Sequence, residues 1–121
     1  MVKRTGPSNV HLRKLIQTLR KKSKENDAPI WRYTSELLSK PRRDRVEVNL
    51  SKIDRYSSEG DVVLVPGKVL GCGKITKKIK IAAWRFSYTA LQKIKDSGSE
   101  IISIEDLSKE NPKGSNIKII I

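Results

Sequence analysis

The stretch DVVLV at residues 61–65 is the clearest strand signal in the chain. Gly60 precedes this apolar run, and Pro66-Gly67 follows it. A short apolar run between turn residues is typical of a buried strand. We therefore expect a buried strand over residues 61–65 that stops at Pro66-Gly67.

Strand and helix patterns alternate on both sides of this run. Ser87 is predicted to be the N-cap of a helix that ends at Gly98, with Phe86 and Leu91 at the positions of a hydrophobic staple. Gly67, Gly71 and Gly73 indicate a tight, close-packed segment. Strands are also predicted at 46–48, 79–84, 100–104 and 116–121, short helices at 50–56 and 105–109, and a type I turn at 111–114.

The N-terminal third carries two helix patterns. Apolar residues at 12, 15, 16 and 19 form one stripe, and Ser8 or Asn9 is suited to the N-cap. A second helix is predicted from Pro29 to a point before Pro41, because proline disfavours helical geometry in the preceding residue. The element order predicts a single α/β domain over 1–121, with a basic helical arm at 1–45 and a mixed α/β core at 46–121.

Charge is the main functional signal. The 121 residues include 26 Lys and Arg and 13 Asp and Glu, a net charge of +13. Residues 1–45 carry +9 of this excess. Self-repulsion of this size costs stability that a polyanion restores, so nucleic acid is the leading class of partner.

The basic residues fall into three main clusters: the polar face of the first helix, the Arg-rich segment after Pro41, and the segment 74–80. Any one cluster has even odds of being an ordinary solvated face, but all three together favour phosphate contacts. The predicted RNA-binding residues are Lys3, Arg4, Arg13, Lys14, Arg20, Lys21, Lys24, Lys40, Arg42, Arg43, Arg45, Lys68, Lys74, Lys77, Lys78, Arg85 and Lys113.

No pattern of residues predicts catalysis, a metal site or a cofactor. The run GKVLGCGK at 67–74 fails as a phosphate loop, because Lys68 stands where the first glycine belongs and Ile75 where Ser or Thr is needed. His11 is the only histidine and Cys72 the only cysteine, and no base or ligand set accompanies either in sequence. Trp31, Tyr33 or Trp84 could stack on bases, although each is more often a core residue.

The chain also lacks the apolar run of a signal peptide at its N-terminus and a stretch of ~18 apolar residues. A single cysteine excludes an internal disulfide and suits a reducing compartment. These features predict a cytosolic protein.

Four stretches together resemble a known family: KPRR at 40–43 leading into VEVNL at 46–50, VPGKVLG at 65–71, AAWRFS at 82–87, and NPKGS at 111–115. In this order and spacing the chain resembles, over nearly its whole length, the archaeal and eukaryotic large-subunit ribosomal protein family eighteen (L18e), which shares its fold with bacterial large-subunit protein fifteen. The resemblance implies an irregular superhelix of β-β-α units preceded by basic N-terminal helices. It also implies binding to large-subunit ribosomal RNA beside neighbouring ribosomal proteins, with no catalysis, no cofactor and no small-molecule substrate.

Three alternatives to this function remain. A general nucleic-acid binder or RNA chaperone has the same composition. A peripheral membrane protein would attach through the basic amphipathic segment Ser8–Asn26, although that segment has no Trp or Phe on its apolar face. An RNA-modifying enzyme comes last, since no catalytic group of residues is visible.

Overall fold

Helices and strands alternate through most of the chain in a computed structural model that describes residues 9–121. The α/β class predicted from the sequence is confirmed. The elements are α1 (Val10–Asn26), α2 (Pro29–Leu38), a 3-10 turn (Arg42–Asp44), β1 (Val46–Asn49), α3 (Leu50–Tyr56), β2 (Val62–Leu70), β3 (Lys80–Phe86), α4 (Tyr88–Asp96), β4 (Glu100–Ser103), α5 (Ile104–Glu110) and β5 (Ile117–Ile119).

The central strand β2 is longer than predicted, and the expected end at Pro66 is wrong. Proline has no N–H to donate and is tolerated inside a sheet mainly at a bulge. The pairing of β2 with β3 changes register between Val65 and Lys68, which is where Pro66 lies. Gly67 packs directly against β1, and a Cβ there would come within 2.0 Å of the Val46 carbonyl oxygen. The bulge and the missing side chain together let the strand continue.

All strands of the sheet are parallel. Their order is β1-β2-β3-β4, and β5 also pairs with β2. β3 pairs with both halves of β2, so β1 and β5 share the opposite edge: β5 pairs with residues 62–64 and β1 with residues 67–70. β2 is therefore the strand around which the sheet is built.

One apolar cluster packs on this sheet. It combines strand residues such as Val63, Val65 and Ile81 with Ile53 of α3 and Ile94 of α4. Burying a branched aliphatic side chain contributes about 1.5–3 kcal/mol, so this cluster is the main source of stability for the strands. The helix α4 begins as predicted, with the Ser87 hydroxyl accepting from the Ala90 N–H at 3.1 Å.

The helices α1 and α2 pack against each other. Of the two predicted N-caps for α1, Asn9 is the residue used, and its side-chain oxygen accepts from the Leu12 N–H at 3.1 Å. Trp31 on α2 is fully buried, and its indole N–H donates to the Pro112 carbonyl at 2.8 Å. That carbonyl belongs to the predicted turn at 111–114, which the Gly114 N–H closes on the Asn111 carbonyl at 3.0 Å.

The chain divides into two compact units. Among the described residues, the helical unit contains residues 9–45 together with Glu105–Gly114, and the sheet unit contains Val46–Ile104 and Ser115–Ile121. The prediction of one domain with an arm at 1–45 and a core at 46–121 stays a prediction.

Candidate nucleic-acid interface

The predicted RNA-binding residues of α1 lie on the face opposite its apolar stripe. The stripe residues Leu12, Leu15, Ile16 and Leu19 are all buried, as predicted. At 3.6 residues per turn, Arg13, Arg20 and Lys24 follow one side of the helix and Lys14 and Lys21 the next. All five side chains are exposed to solvent.

Most of these cations have no partner within residues 9–121: Arg13, Lys14, Lys21 and Lys24 make no ion pair or hydrogen bond there through their side chains. Arg20 differs, because its guanidinium lies 3.5 Å from the Ser39 hydroxyl. The outer face of α1 is therefore a row of uncompensated positive charge, which has the chemistry of a phosphate-binding surface.

Arg20 and Lys24 also line an open cleft of about 620 Å³ in the helical unit. Arg32 of α2 lines it too, but its guanidinium Nε is held by Glu36 at 3.3 Å. Asp27 adds a second acidic group to the lining. The cleft is thus nearer to electrical neutrality than the outer face of α1.

The Arg-rich segment after Pro41 contains the short 3-10 turn Arg42–Asp44. Lys40 and Arg43 are exposed. The Arg45 guanidinium donates through Nε to the Lys40 carbonyl at 3.0 Å, so part of its donor capacity fixes this segment. Arg43 makes no side-chain hydrogen bond or ion pair with the described residues.

The connection between β2 and β3, residues 71–79, contains three of the predicted site lysines. Their side chains go to different places. Lys74 and Lys78 are exposed, whereas the Lys77 ammonium donates to the carbonyls of Asp54 and Ser57, the latter at 2.8 Å. Lys77 is therefore half-buried and held by protein carbonyls, whereas Lys74 and Lys78 remain exposed.

Other groups hold the same connection in place. Lys93, in the last turn of α4, donates to the carbonyls of Gly71 and Gly73 at 2.8 Å each. The Cys72 N–H donates to Asn49 Oδ1 at 3.2 Å, and the Lys78 N–H to Glu59 at 3.0 Å. An irregular segment lacks the regular backbone hydrogen bonds of a helix or a sheet. These side chains supply hydrogen-bond partners for its N–H and C=O groups.

Asp54 anchors the middle of the connection by accepting from the Thr76 N–H and hydroxyl, both at 2.9 Å. Partial burial by itself raises the pKa of this carboxyl. The two Thr76 hydrogen bonds and the positive charges of Lys77 and Lys74 outweigh that effect, and the pKa lies below its usual value of 3.8. Asp54 therefore stays ionised and structural at neutral pH.

Two further predicted residues, Lys68 and Arg85, are brought together by the sheet. They are register partners on β2 and β3, and Lys68 is also paired with Glu47 on β1. The Arg85 guanidinium lies over the ring of Trp84, 5.4 Å from its centre. Adjacent strands are about 4.8 Å apart, so the two cations are neighbours in a short row that Glu47 continues on β1.

The remaining predicted residues are separate from these groups. Lys113 is exposed at the tip of the 111–114 turn in the helical unit. Lys3 and Arg4 lie outside the described residues. His11 is exposed on α1, and Cys72 is an exposed free thiol. Within residues 9–121 no group of three or more His, Cys, Asp or Glu residues is placed to hold a metal ion.

The sequence reasoning missed two features of the sheet unit. The double carbonyl contact of Lys93 gave no signal, because a lysine in the last turn of a helix is already explained by the helix dipole. Tyr88, the first residue of α4, is 76% exposed, although the aromatic candidates weighed from sequence were Trp31, Tyr33 and Trp84. Of those three, Trp31 is fully buried and is thereby removed from any binding surface.

An α/β fold with exposed, unpaired cations on its surface defines a nucleic-acid-binding class of protein, and the comparisons with known proteins narrow that class. The family described as "Ribosomal protein 60S L18 and 50S L18e" matches residues 2–121. The large ribosomal subunit protein eL18 of Methanopyrus kandleri is 53% identical, with 96% of this chain and 95% of the relative covered. The eL18 proteins of Archaeoglobus fulgidus and Methanococcus maripaludis are 48% and 47% identical, covering 94% and 98% of this chain and 97% and 99% of their own lengths.

The chain therefore belongs to the L18/L18e family of ribosomal proteins. The resemblance inferred from the four sequence stretches is confirmed. Within residues 9–121, no helix has the length and apolar character needed to cross a membrane.

Proposed function

We propose that this chain stabilises folded large-subunit ribosomal RNA by contacting its phosphate groups and its shape, with little reading of base sequence. The family assignment makes the chain a structural constituent of the large ribosomal subunit, at work in the cytoplasmic ribosome, and not an enzyme. Its partners are ribosomal RNA and other ribosomal proteins. The finer proposal concerns which of its surfaces meet the RNA.

The observation that carries the proposal is the outer face of α1. Arg13, Lys14 and Lys21 stand in solvent without an acidic partner among the described residues. Uncompensated cations on a rigid helix attract a polyanion and lose little conformational freedom on binding, since the helix backbone is already ordered. The same reasoning extends to Arg43 on its short turn and to Arg85 on the sheet, both of which are exposed.

The apolar stripe of α1 argues against attachment to a lipid surface. A helix that lies in a membrane interface needs its apolar face free to enter the acyl region. Leu12 and Leu19 are fully buried, and Leu15 and Ile16 nearly so. Only the cationic face of α1 is available to a partner, which favours a hydrophilic polyanion.

The experiment that tests the proposal is a sucrose-gradient profile of a cell lysate, probed for this chain before and after a moderate salt wash. We expect the chain in the large-subunit peak under both conditions. A competition between structured ribosomal RNA and duplex DNA for the purified protein should favour the RNA strongly. Recovery only in light fractions, with equal affinity for DNA, would instead support a general nucleic-acid binder.

A further inference from the structure

We propose that Tyr88, together with Lys68 and Arg85, binds an unpaired nucleotide of the RNA, with the tyrosine ring stacked on its base and the two cations on its phosphates. The inference rests on the proposed function and deepens it. This part of the sheet unit would then bind a single-stranded or bulged element of the RNA. Phosphate contacts alone would not distinguish such an element from a duplex.

The first observation is the exposure of Tyr88. The side chain is 76% exposed, the highest value among the large apolar and aromatic residues that stand on the surface. Its hydroxyl makes no hydrogen bond and its ring no contact with another ring or a cation within residues 9–121. A bare aromatic ring is costly in water, and single-stranded RNA is recognised by bases that stack on such rings.

The second observation is the rigid placement of this ring. Tyr88 is the first residue of α4, directly after the N-cap Ser87. The Ser87 N–H donates to the Val69 carbonyl at 2.9 Å, which fixes the helix start to the end of β2. A Cβ at Gly71 would lie 2.7 Å from Thr89, so the first turn of α4 is also packed against the chain that leaves β2. The ring is presented from an ordered backbone.

The third observation is the position of the cations. Arg85 precedes Tyr88 by three residues, so their Cα atoms are at most about 10 Å apart. Lys68 is the register partner of Arg85 on the neighbouring strand. The contact of the Arg85 guanidinium with Trp84 leaves the residue exposed and holds its charge near the strand. An exposed ring whose Cα lies within about 10 Å of that of Arg85, with Lys68 beside Arg85, suits a nucleotide, which has one base between phosphates.

The other aromatic residues of the sheet unit are differently occupied. Trp84 is partly buried and covered by Arg85. Tyr56 is 55% exposed, but Arg55 lies over its ring at 6.0 Å and the residue lines a depression with Ile119 and Ile121. Tyr56 is therefore a matched control: an exposed tyrosine beside an arginine whose ring already has intramolecular contacts.

The test compares two RNAs of equal length, a fully paired duplex and the same duplex with unpaired 2-aminopurine nucleotides, bound to the full chain. We expect the wild-type protein to bind the second RNA more tightly and to quench its fluorescence by stacking. Tyr88→Ala should weaken binding of that RNA about five- to a hundredfold and remove the quenching, with little effect on the paired duplex. Tyr88→Phe should keep both properties, and Tyr56→Ala should change neither.

Three results would overturn the inference. An equal loss of affinity for both RNAs would assign Tyr88 to general RNA binding or to folding. A melting curve of Tyr88→Ala distinguishes these two, because only a folding role lowers the melting temperature. Unchanged RNA binding with loss of the variant from assembled subunits would assign the ring to a protein neighbour. Wild-type binding of both RNAs without preference or quenching would remove the nucleotide site and leave the proposed function intact. Failure to bind either RNA would instead reject the proposed function itself.

Discussion

The helix α1 and the connection 71–79 are both basic segments, and the sequence predicts the same role for both. The structure treats them differently. On α1 the cations stand away from the protein, and Arg13, Lys14 and Lys21 have no partner among residues 9–121. In the connection, Lys77 is bound to two carbonyls, and Lys93 reaches in from α4 to bind two more.

The difference follows from how each backbone satisfies its hydrogen bonds. A helix pairs its own N–H and C=O groups, so the cations on its surface are free for a ligand. An irregular connection leaves carbonyl groups without a backbone N–H partner. Nearby lysine ammonium groups donate to these carbonyls instead. Positive charge on a regular element is therefore better evidence for RNA binding than the same charge in a glycine-rich connection.

The largest expected effect separates the two regions through RNA affinity. Arg13, Lys14 and Lys21 changed together to Gln should weaken binding to ribosomal RNA on the order of a hundredfold at ~0.1 M salt, and the dependence of log K on log salt should become shallower by about 2–3. Folding should be unaffected, because the three side chains are exposed. Filter binding across a salt series measures both quantities.

The matched control removes three cations from outside the predicted set, by changing Arg55, Lys95 and Lys109 to Gln. The net charge falls equally, so this variant tests whether position matters beyond total charge. A control slope as shallow as that of the α1 variant would contradict the assignment of α1 to the interface.

The second effect concerns stability. Lys77→Met removes the donor that holds the Asp54 and Ser57 carbonyls, and hydrogen bonds to a charged group contribute about 1.5–3 kcal/mol each. We expect the free energy of unfolding in urea to fall by about 2 kcal/mol, with an unchanged salt slope for RNA binding. Lys74→Met is the matched control, since Lys74 is exposed and makes no hydrogen bond within residues 9–121. Equal stability of the two variants would show that the carbonyl contacts are dispensable.

The third effect concerns the Arg-rich segment after Pro41, which lies between the other two regions in how many of its cations have protein partners. Arg42, Arg43 and Arg45 changed together to Ala should weaken RNA binding roughly tenfold, with a slope shallower by about 1–2. The effect is smaller than for α1 because the Arg45 Nε already donates to the Lys40 carbonyl. A slope identical to that of the wild-type protein would remove this segment from the interface.

The smallest effect is a pH dependence that arises in the connection alone. The pKa of Asp54 is lowered in the folded state, so the stability it contributes is complete above its unfolded pKa and is lost as the pH falls through the lower, folded pKa. Urea unfolding between about pH 5 and pH 2 should therefore show a steeper loss of stability for the wild-type protein than for Asp54→Asn.

Asp96→Asn serves as the control for this measurement, because Asp96 is an exposed carboxylate without a hydrogen bond to other residues of 9–121. Its stability curve should parallel that of the wild-type protein. Parallel curves for all three proteins would mean that the Thr76 hydrogen bonds to Asp54 contribute nothing to folding.

Much of the fold was predictable because its signals are local. Asn9 and Ser87 cap α1 and α4 as their side chains predict, and Pro29 begins α2. The apolar stripe of α1 is buried in full. Capping and periodicity act within one or two turns, so neighbouring residues suffice to predict them.

Sequence patterns were insufficient where distant residues decide the outcome. Pro66 was expected to end β2, but the strand continues through a change of register and the close approach of Gly67 to Val46. The RNA contact of Lys77 stays a prediction, but the sequence did not indicate that its ammonium would donate to two protein carbonyls. Neither outcome can be deduced from nearby sequence, because the deciding atoms belong to β1 and α3.

The sequence by itself determined the family, the positive charge and the ends of the main helices, since each depends on composition or on residues a few positions apart. The tertiary structure alone decided which cations lack a protein partner, that Tyr88 is exposed, and that Lys68 and Arg85 are neighbours on adjacent strands. The physical reason is that a lysine ammonium group that donates to a protein carbonyl is less available to an RNA phosphate. The carbonyls that compete with RNA phosphate for Lys77 and Lys93 come within reach only after the chain has folded.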